Sequence, residues 1–229
     1  MKYGLIGAMD EEIAFLLEKM TDKKEHIIAN SLFVEGKIND QAVVLLKSGI
    51  GKVNAAMATT ILMERFQPNV VINTGSAGGF SHNLSVGDIV ISQEVVHHDV
   101  DATAFDYEYG QVPRLPATFK ADQQLLNRTK HVMEQLDLNY EVGLIATGDS
   151  FMSDEAKITR LKEIFPDTLA AEMEGAAIAQ VCYQYNVPFI IIRAISDVAG
   201  KDSPVSFEQF LDRAAKNATQ IILHLLNNI

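Results

Sequence analysis

The sequence predicts an α/β fold, a three-layer sandwich with helices on both faces of a mixed central β-sheet. Short apolar runs such as Phe189–Ile192 alternate along the chain with longer helical patterns, which is typical of sheets covered on both faces. One pair of segments, Ile27–Gly36 and Gln41–Lys47, flanks the turn signal Asn39–Asp40 and predicts an antiparallel hairpin within the sheet. No Pro/Gly/Ser-rich linker interrupts the chain, so we expect one domain over residues 1–229.

The predicted strands are short apolar segments, many rich in β-branched residues, with turn or loop residues nearby. In chain order they are Lys2–Ala8, Ile27–Gly36, Gln41–Lys47, Val70–Asn73, Asp88–Val96, Val142–Thr147, Leu169–Glu172 and Phe189–Ile192. The last run has no polar alternation, which indicates burial on both faces, as in a parallel sheet.

The predicted helices carry apolar residues at helical spacing together with start or stop signals. Asp10 is a candidate N-cap, Pro68 follows the second helix, and Ser206 with Gln209 resembles a capping box. The helices are Glu11–Met20, Lys52–Phe66, Ala121–Leu136, Asp154–Ile164, residues 174 or 175 to 185, and Ser206–Leu226. Residues 99–116 contain aromatics and two prolines without a clear period, and predict a long loop.

The charge balance limits the classes of partner. The chain has 19 basic and 30 acidic residues, a formal charge of −11, and no basic run. It is therefore a poor candidate for binding nucleic acid or an anionic membrane surface. The one cysteine, Cys182, cannot form an internal disulfide and suits a reducing compartment. With no signal peptide or transmembrane stretch apparent, we expect a cytoplasmic protein.

Polar residues follow the buried run 189–192 at once, where Arg193, Ser196 and Asp197 occur within five residues. Ligand sites in open α/β sheets gather at the carboxyl ends of strands, so Asp197 is a candidate for a carboxylate in a dry pocket. The alternative is that Asp197 only caps the following turn.

Three other strand ends carry similar material. Glu12 lies in a predicted first helical turn, where the helix dipole favours a carboxylate, although ordinary helix electrostatics would explain it equally. The glycines of residues 75–79 would let backbone amides approach a ligand, or simply form a tight turn. Phe151 could stack on a planar ligand beside the backbone of Met152, or both could be ordinary core residues of a loop.

A fifth strand end carries Glu172 and Glu174, which would diverge where a helix begins. Either carboxylate could accept hydrogen bonds from sugar hydroxyls, or the two could be a solvated pair. The segment His97–Asp101 superficially resembles a metal cluster. Adjacent strand residues point to opposite faces, so we expect no metal site and no cofactor.

These segments together resemble the bacterial 5′-methylthioadenosine/S-adenosylhomocysteine nucleosidases over essentially the full length. The motifs are GLIGAMDEE from residue 4, KSGIGKV from 47, NTGSAGG from 73, TAFDYEYGQ from 103, EME from 172 and RAISD from 193. The resemblance implies a nucleoside phosphorylase-like fold, a homodimer, and a nucleoside substrate whose N-glycosidic bond is hydrolysed to release adenine. The same activity on 5′-deoxyadenosine and a part in methionine salvage are further expectations.

The resemblance also implies a role for each matching residue. Glu12 would activate water, Asp197 would protonate the adenine, Ser196 would position Asp197, and Glu174 with the Met173 backbone would hold the ribose. The remaining contacts are implied for the glycine segment (Ser76, Gly78), the base (Phe151, Met152), the 5′-alkylthio end (Met9, Ile50, Phe207) and the partner subunit's pocket (Phe105, Pro113). Two positions depart from the family pattern, Ala102 where a larger aliphatic residue is expected and Gly175 where Ala is expected.

Physical chemistry agrees with two acids in opposite roles. Breaking a ribosyl bond builds an oxocarbenium-like centre and negative charge on the departing base, so one carboxyl must be neutral and the other ionised. Because an aspartate ordinarily has a pKa near ~3.9, Asp197 would need a dry setting or hydrogen bonds to keep its proton.

Two other functions remain open at this stage. A purine nucleoside phosphorylase would share the fold, but its phosphate dianion would meet the acidic residues 10–12 rather than a basic side chain. A non-catalytic nucleoside-binding module would explain the glycine segments but not two carboxylates suited to opposite protonation states.

Overall fold

The computed structural model describes residues 1–198 and 203–227, and for residues 203–209 and 212 it describes the backbone alone. The strands are β1 Lys2–Gly7, β2 Thr21–Ile28, β3 Ser31–Ile38, β4 Gln41–Lys47, β5 Val70–Gly79, β6 Ile89–His97, β7 Phe119–Lys120, β8 Tyr140–Thr147, β9 Thr168–Glu172 and β10 Phe189–Val198. The helices are α1 Asp10–Lys19, α2 Lys52–Phe66, α3 Gln123–Leu136, α4 Glu155–Ile164, α5 Gly175–Tyr185 and α6 Ser203–Asn227.

All ten strands belong to one mixed sheet, as the sequence predicts. Its order is β10-β6-β8-β9-β5-β1-β4-β3-β2, with β7 paired to β6. Because β10 also pairs with β5, in parallel, five of the strands close into a ring from which β1, β4, β3 and β2 extend. The sequence carries no signal for this closure, since it depends on pairing between strands far apart in the chain.

Helices cover both faces of the sheet and complete the predicted three layers. On one face, α2 and α5 contribute small and apolar residues, such as Ala58, Leu62 and Cys182, to one buried core. On the other face, α1, α3 and α6 bury residues such as Leu16, Met133 and Ile222 in a second core. Within the described residues, no helix combines the length and apolar character that a membrane crossing requires.

The prediction of the hairpin is partly wrong. The segment predicted as one strand over 27–36 contains a turn, because Ala29 and Asn30 both adopt left-handed backbone conformations, with φ of 49° and 62°. The chain before that turn forms β2, an additional strand at the edge of the sheet. Six of its eight residues are exposed and four are charged, so they lack the apolar alternation that identifies a strand from sequence.

Among the element boundaries that differ from the prediction, three bear on the predicted site or on a predicted helix start. Both β5 and β10 continue beyond their apolar runs, so the glycines of residues 75–79 form extended strand and not a tight turn. Asp197 likewise lies within β10, and the turn that it might cap would fall in residues 199–202, outside the described residues. The predicted helix start at Ser206 is wrong, because α6 already begins at Ser203.

Candidate active site

A cavity of about 300 Å³ opens near the carboxyl ends of β1, β5, β9 and β10. This is the edge where strand ends in an α/β sheet leave room for a ligand. The cavity is lined by Ala8, Met9, Glu12, Ile50, Ser76, Ala77, Gly78, Phe151, Ala171, Glu172, Met173, Glu174, Ser196 and Asp197. It therefore combines four carboxyl groups with an apolar wall.

The Glu12 carboxylate is held by donors on both of its oxygens. Its Oε2 accepts the Ala8 amide at 2.7 Å and the Met9 amide at 3.4 Å, while Oε1 accepts the Ser76 amide at 2.9 Å and the Ser76 hydroxyl at 3.1 Å. These N–H and O–H groups suit an ionised carboxylate, which can only accept hydrogen bonds. A Cβ added at Gly75 would lie 2.6 Å from Oε1, so this close approach requires glycine.

Asp197 reaches the cavity from β10. The pairing of β10 with β5 shifts register between Ile195 and Asp197, so Ser196 is the additional residue of a bulge. Bulges of this kind re-aim side chains at strand ends. The Ser196 hydroxyl donates to Asp197 Oδ1 at 2.8 Å, and the carboxyl group is only 2% exposed. Gly78 lies beside it, where an added Cβ would be 3.3 Å from Oδ2.

Glu172 is the anionic half of a buried ion pair. Arg193 Nη2 donates to its Oε2 at 2.5 Å, and the amides of Glu174 and Gly175 donate to the same oxygen at 3.0 and 2.7 Å. The Thr147 hydroxyl donates to Oε1. Burial by itself would raise the pKa of Glu172, but the Arg193 charge and these hydrogen bonds lower it below the ordinary value of 4.5.

Glu174 shows the opposite behaviour. Its Oε1 accepts the Gly51 amide at 2.8 Å, and the residue is 8% exposed. Burial, and after it the negative charge of Glu172, raise the pKa of Glu174 to about 8. At neutral pH this side chain therefore holds its proton most of the time and can donate a hydrogen bond as well as accept one.

Comparison with known proteins shows the family of the chain. A family model for the phosphorylase superfamily matches residues 2–227. The 5′-methylthioadenosine/S-adenosylhomocysteine nucleosidase of Oceanobacillus iheyensis is 59% identical over 100% of both chains. The chain belongs to this nucleosidase family. Among solved structures, the nucleosidase of Colwellia psychrerythraea in complex with adenine is 51% identical, with a TM-score of 0.95 over 99% of this chain and 95% of that one.

A second solved structure supports the same assignment at lower sequence identity. The nucleosidase of Neisseria meningitidis in complex with methylthio-immucillin-A is 43% identical and has a TM-score of 0.97 over 100% of this chain and 99% of that one. The resemblance that the motifs indicated is thus confirmed, and so is the N-glycosidic hydrolase class. The two other functions left open by the sequence are not favoured.

In this nucleosidase, most of the predicted site residues meet in the one cavity. They are Met9, Glu12, Ile50, Ser76, Gly78, Phe151, Met173, Glu174, Ser196 and Asp197. Ile50 and Phe151 remain 50% and 42% exposed and form the apolar part of the rim. The roles that the resemblance implies for these residues stay predictions.

Three predicted residues do not line the cavity, and the side chain of a fourth lies outside the described part of the chain. Met152 is buried and lines a smaller pocket with Leu161. Phe105 is 77% exposed, and Pro113 is also exposed, in the long loop. Phe207 belongs to α6, but its side chain lies outside the described part of the chain.

Sequence reasoning missed the residues beneath the nucleosidase cavity. The Arg193 guanidinium also donates to Asn73 Oδ1, and the Asn73 amide donates to the Ile6 carbonyl at 2.9 Å. A single arginine inside an otherwise apolar buried strand signals a buried acidic partner, because an unpaired buried charge is costly. That signal could have predicted a buried acidic partner for Arg193, which the structure identifies as Glu172.

Proposed function

We propose that this chain hydrolyses the N-glycosidic bond of 5′-methylthioadenosine and S-adenosylhomocysteine, releasing adenine and the thioribose product. The observation that carries the proposal is that Glu12 and Asp197, which come from α1 and β10, face one cavity. The names of the relatives, and the adenine bound in one neighbour, supply the substrate class. We include 5′-deoxyadenosine as a further substrate because it carries the same base and ribose.

The two acids would divide the reaction between them. Cleavage moves the bonding electron pair of the C–N bond onto adenine, so a proton delivered to the base by Asp197 stabilises the leaving group. Water then forms the new C–O bond at the oxocarbenium-like carbon, and Glu12 accepts the proton that the water loses. The donors around Glu12 suit a group that begins the reaction as a carboxylate.

The remaining cavity residues would bind the parts of the substrate that do not react. Glu174 and the Met173 backbone would hold the ribose hydroxyls, and a protonated Glu174 can donate to one of them. Phe151 would stack on adenine, and the Met152 backbone would hydrogen-bond to its edge. Met9, Ile50 and Phe207 would surround the 5′-alkylthio group, with Ser76 and Gly78 on the opposite wall.

A neutral water fits this cavity better than phosphate. A phosphate dianion would approach Glu12 and Glu172, and in the described residues the buried cation nearest them, Arg193, is already committed to Glu172 and Asn73. Phosphate sites normally combine free cationic groups with backbone donors. Hydrolysis is therefore the expected reaction.

Adenine release tests this function directly. Wild-type protein should release adenine from 5′-methylthioadenosine at the same rate with and without phosphate. Asp197→Asn and Glu12→Gln should each fold and lose at least about a hundredfold in kcat, because general acid–base groups contribute roughly that much. Glu11→Gln changes an exposed carboxylate on the same helix and should retain full activity. Strict phosphate dependence, or an active Asp197→Asn, would contradict the proposal.

We also propose that the chain works as a homodimer. Val53 and Phe105 are 78% and 77% exposed, and Met57 on the same helix as Val53 is 38% exposed, so apolar side chains lie at the start of α2 and on the long loop. A partner that covered them would bring its own Phe105 and Pro113 to the cavity rim at Ile50.

Sedimentation velocity tests the dimer. The wild type should sediment as a dimer at micromolar concentration, whereas Val53→Glu should shift it to monomer and raise KM. Ile27→Glu is the matched control, because Ile27 is also β-branched and 78% exposed but lies on the edge strand β2. A monomeric wild type with full activity would exclude the dimer.

The remaining proposals concern the domain organisation, the cellular setting and the cofactor requirement. We propose a single domain over residues 1–229, a cytoplasmic location and a part in methionine salvage, without cofactor or metal. Burial raises the pKa of the Cys182 thiol, so this cysteine is an unreactive core residue compatible with a reducing compartment.

A further inference from the structure

Three loops converge at one side of the cavity through a chain of polar contacts. The first loop leads from β4 into α2 and carries Ile50 and Gly51. The second follows β6 and carries Asp99, and the third follows β8 and carries Asp149. Lys52 forms an ion pair with Asp99 through its side chain, and Asp99 Oδ2 accepts the Asp149 amide at 3.0 Å.

Asp149 closes this chain of contacts with its carboxylate. Its Oδ1 accepts the Lys52 amide at 2.7 Å. Lys52 is the first residue of α2, and Gly51, which precedes it, has no side chain that could cap the helix. Asp149 therefore caps α2 from a different loop, a role usually filled by the residue just before the helix. A Cβ at Gly51 would lie 3.0 Å from Asp149 Oδ1, so the close approach also depends on glycine.

The capped turn is connected to the cavity on both sides. The Gly51 amide, adjacent to the Lys52 amide, donates to Glu174 Oε1 at 2.8 Å. Ile50 precedes Gly51 and lines the cavity, as does Phe151, two residues after Asp149. The Asp149 carboxylate thus links two segments. One carries Ile50 and the Gly51 amide that contacts Glu174, and the other carries Phe151.

We propose that Asp149 is a positioning residue for substrate binding. Its hydrogen bond to the Lys52 amide holds Ile50 and Gly51 in register with Phe151 and Glu174, so that the base, ribose and 5′ contacts are present together before substrate arrives. Asp149 does not itself line the cavity, and it acts through the backbone of α2. This inference rests on the proposed function for its kinetic consequence but not for its structural one.

Asp149→Ala removes the capping carboxylate and leaves the Asp149 amide and the Lys52–Asp99 ion pair in place. Loss of a hydrogen bond to a charged acceptor corresponds to roughly a tenfold change in equilibrium. We therefore expect KM for 5′-methylthioadenosine to rise about tenfold. We expect kcat to stay within about twofold, since Glu12 and Asp197 are untouched. Asp149→Asn keeps an acceptor oxygen and should therefore have a KM close to that of the wild type.

Amide hydrogen exchange provides a readout that needs no substrate. Peptides spanning residues 49–55 should exchange faster in Asp149→Ala than in wild type, and at the wild-type rate in Asp149→Asn. Asp122→Ala is the matched control, because Asp122 caps α3 through the Gln124 and Leu125 amides away from the cavity. It should change neither KM nor exchange in residues 49–55.

The two proposals fail in different ways. A wild-type protein that releases no adenine would overturn the proposed function and leave the exchange experiment to decide the role of Asp149. An active wild type with unchanged KM and exchange in Asp149→Ala would overturn the positioning role alone. So would an Asp149→Asn variant as impaired as Asp149→Ala.

Discussion

Glu172 and Glu174 are two residues apart, line the same cavity and are 7% and 8% exposed, yet they hold their protons differently. The pKa of Glu172 is lowered, whereas the pKa of Glu174 is raised to about 8. Burial acts in the same direction on both side chains, so it cannot explain the difference. The contacts of each carboxyl group decide its charge, and each charge then acts on the other group.

The difference follows from the turn between β9 and α5. Glu172 ends β9 and receives two amides of the turn, the Thr147 hydroxyl and the Arg193 guanidinium. Glu174 lies in that turn, immediately before α5, and its Oε1 accepts the Gly51 amide. One counter-charge, that of Arg193, therefore separates two carboxyl groups with opposite pKa shifts in one small volume.

Removing that counter-charge should have the largest effect on stability. Arg193→Met leaves Glu172 buried without its cation, and breaking a buried ion pair costs about 3–5 kcal/mol of unfolding free energy. Urea denaturation at neutral pH would measure the loss. In the double variant Glu172→Gln/Arg193→Met no buried charge is left uncompensated, so we expect part of the stability to return.

A surface ion pair provides the control for that experiment. Lys47 contacts Asp10 at 2.7 Å, but the Asp10 side chain is 76% exposed. Lys47→Met should therefore cost less than about 1 kcal/mol. If Arg193→Met cost no more than Lys47→Met, the buried arginine would not be the group that maintains the charge of Glu172.

The sequence predicts the layered fold well where burial leaves a pattern. Apolar runs such as those in β8 and β10, and the helical spacing in α1, identify elements because each buries a regular face. The edge strand β2 was missed because six of its eight residues are exposed and half of the eight are charged. The closure of five strands into a ring depends on pairing between distant strands, which no local pattern records.

For the site, the sequence predicts candidate residues but not how they pair in three dimensions. Strand ends and motifs identified Glu12, Asp197 and Glu174 as candidates, because polar residues after apolar runs are visible in a sequence. The bulge at Ser196 and the pairing of Arg193 with Glu172 were not predictable, since both depend on register in three dimensions. For the same reason, sequence alone assigns no protonation state to the neighbouring glutamates.

The pH dependence of stability should also distinguish Glu172 from Glu174, with a smaller effect than that of Arg193→Met. An unfolded glutamate with a pKa of 4.5 is ionised above that pH, whereas folded Glu174 keeps its proton up to about pH 8. Between these values the folded state binds the additional proton, so Glu174 makes stability fall as pH rises, by up to roughly 1.4 kcal/mol per pH unit. Glu172 differs in sign, because its lowered pKa gives stability above pH 4.5 that is lost as pH falls further.

Glu174→Gln removes this titration and should give a stability curve that falls less steeply between about pH 5 and 8 than that of the wild type. The buried histidines His97 and His98, whose pKa values burial lowers, titrate in both proteins, so the difference between the two curves isolates Glu174. Met173→Leu, a volume-conserving change in the same turn, should shift the curve by a constant amount at every pH. Parallel curves for wild type and Glu174→Gln would mean that Glu174 is ionised in the folded protein, and that Glu172 and Glu174 do not differ in charge at neutral pH.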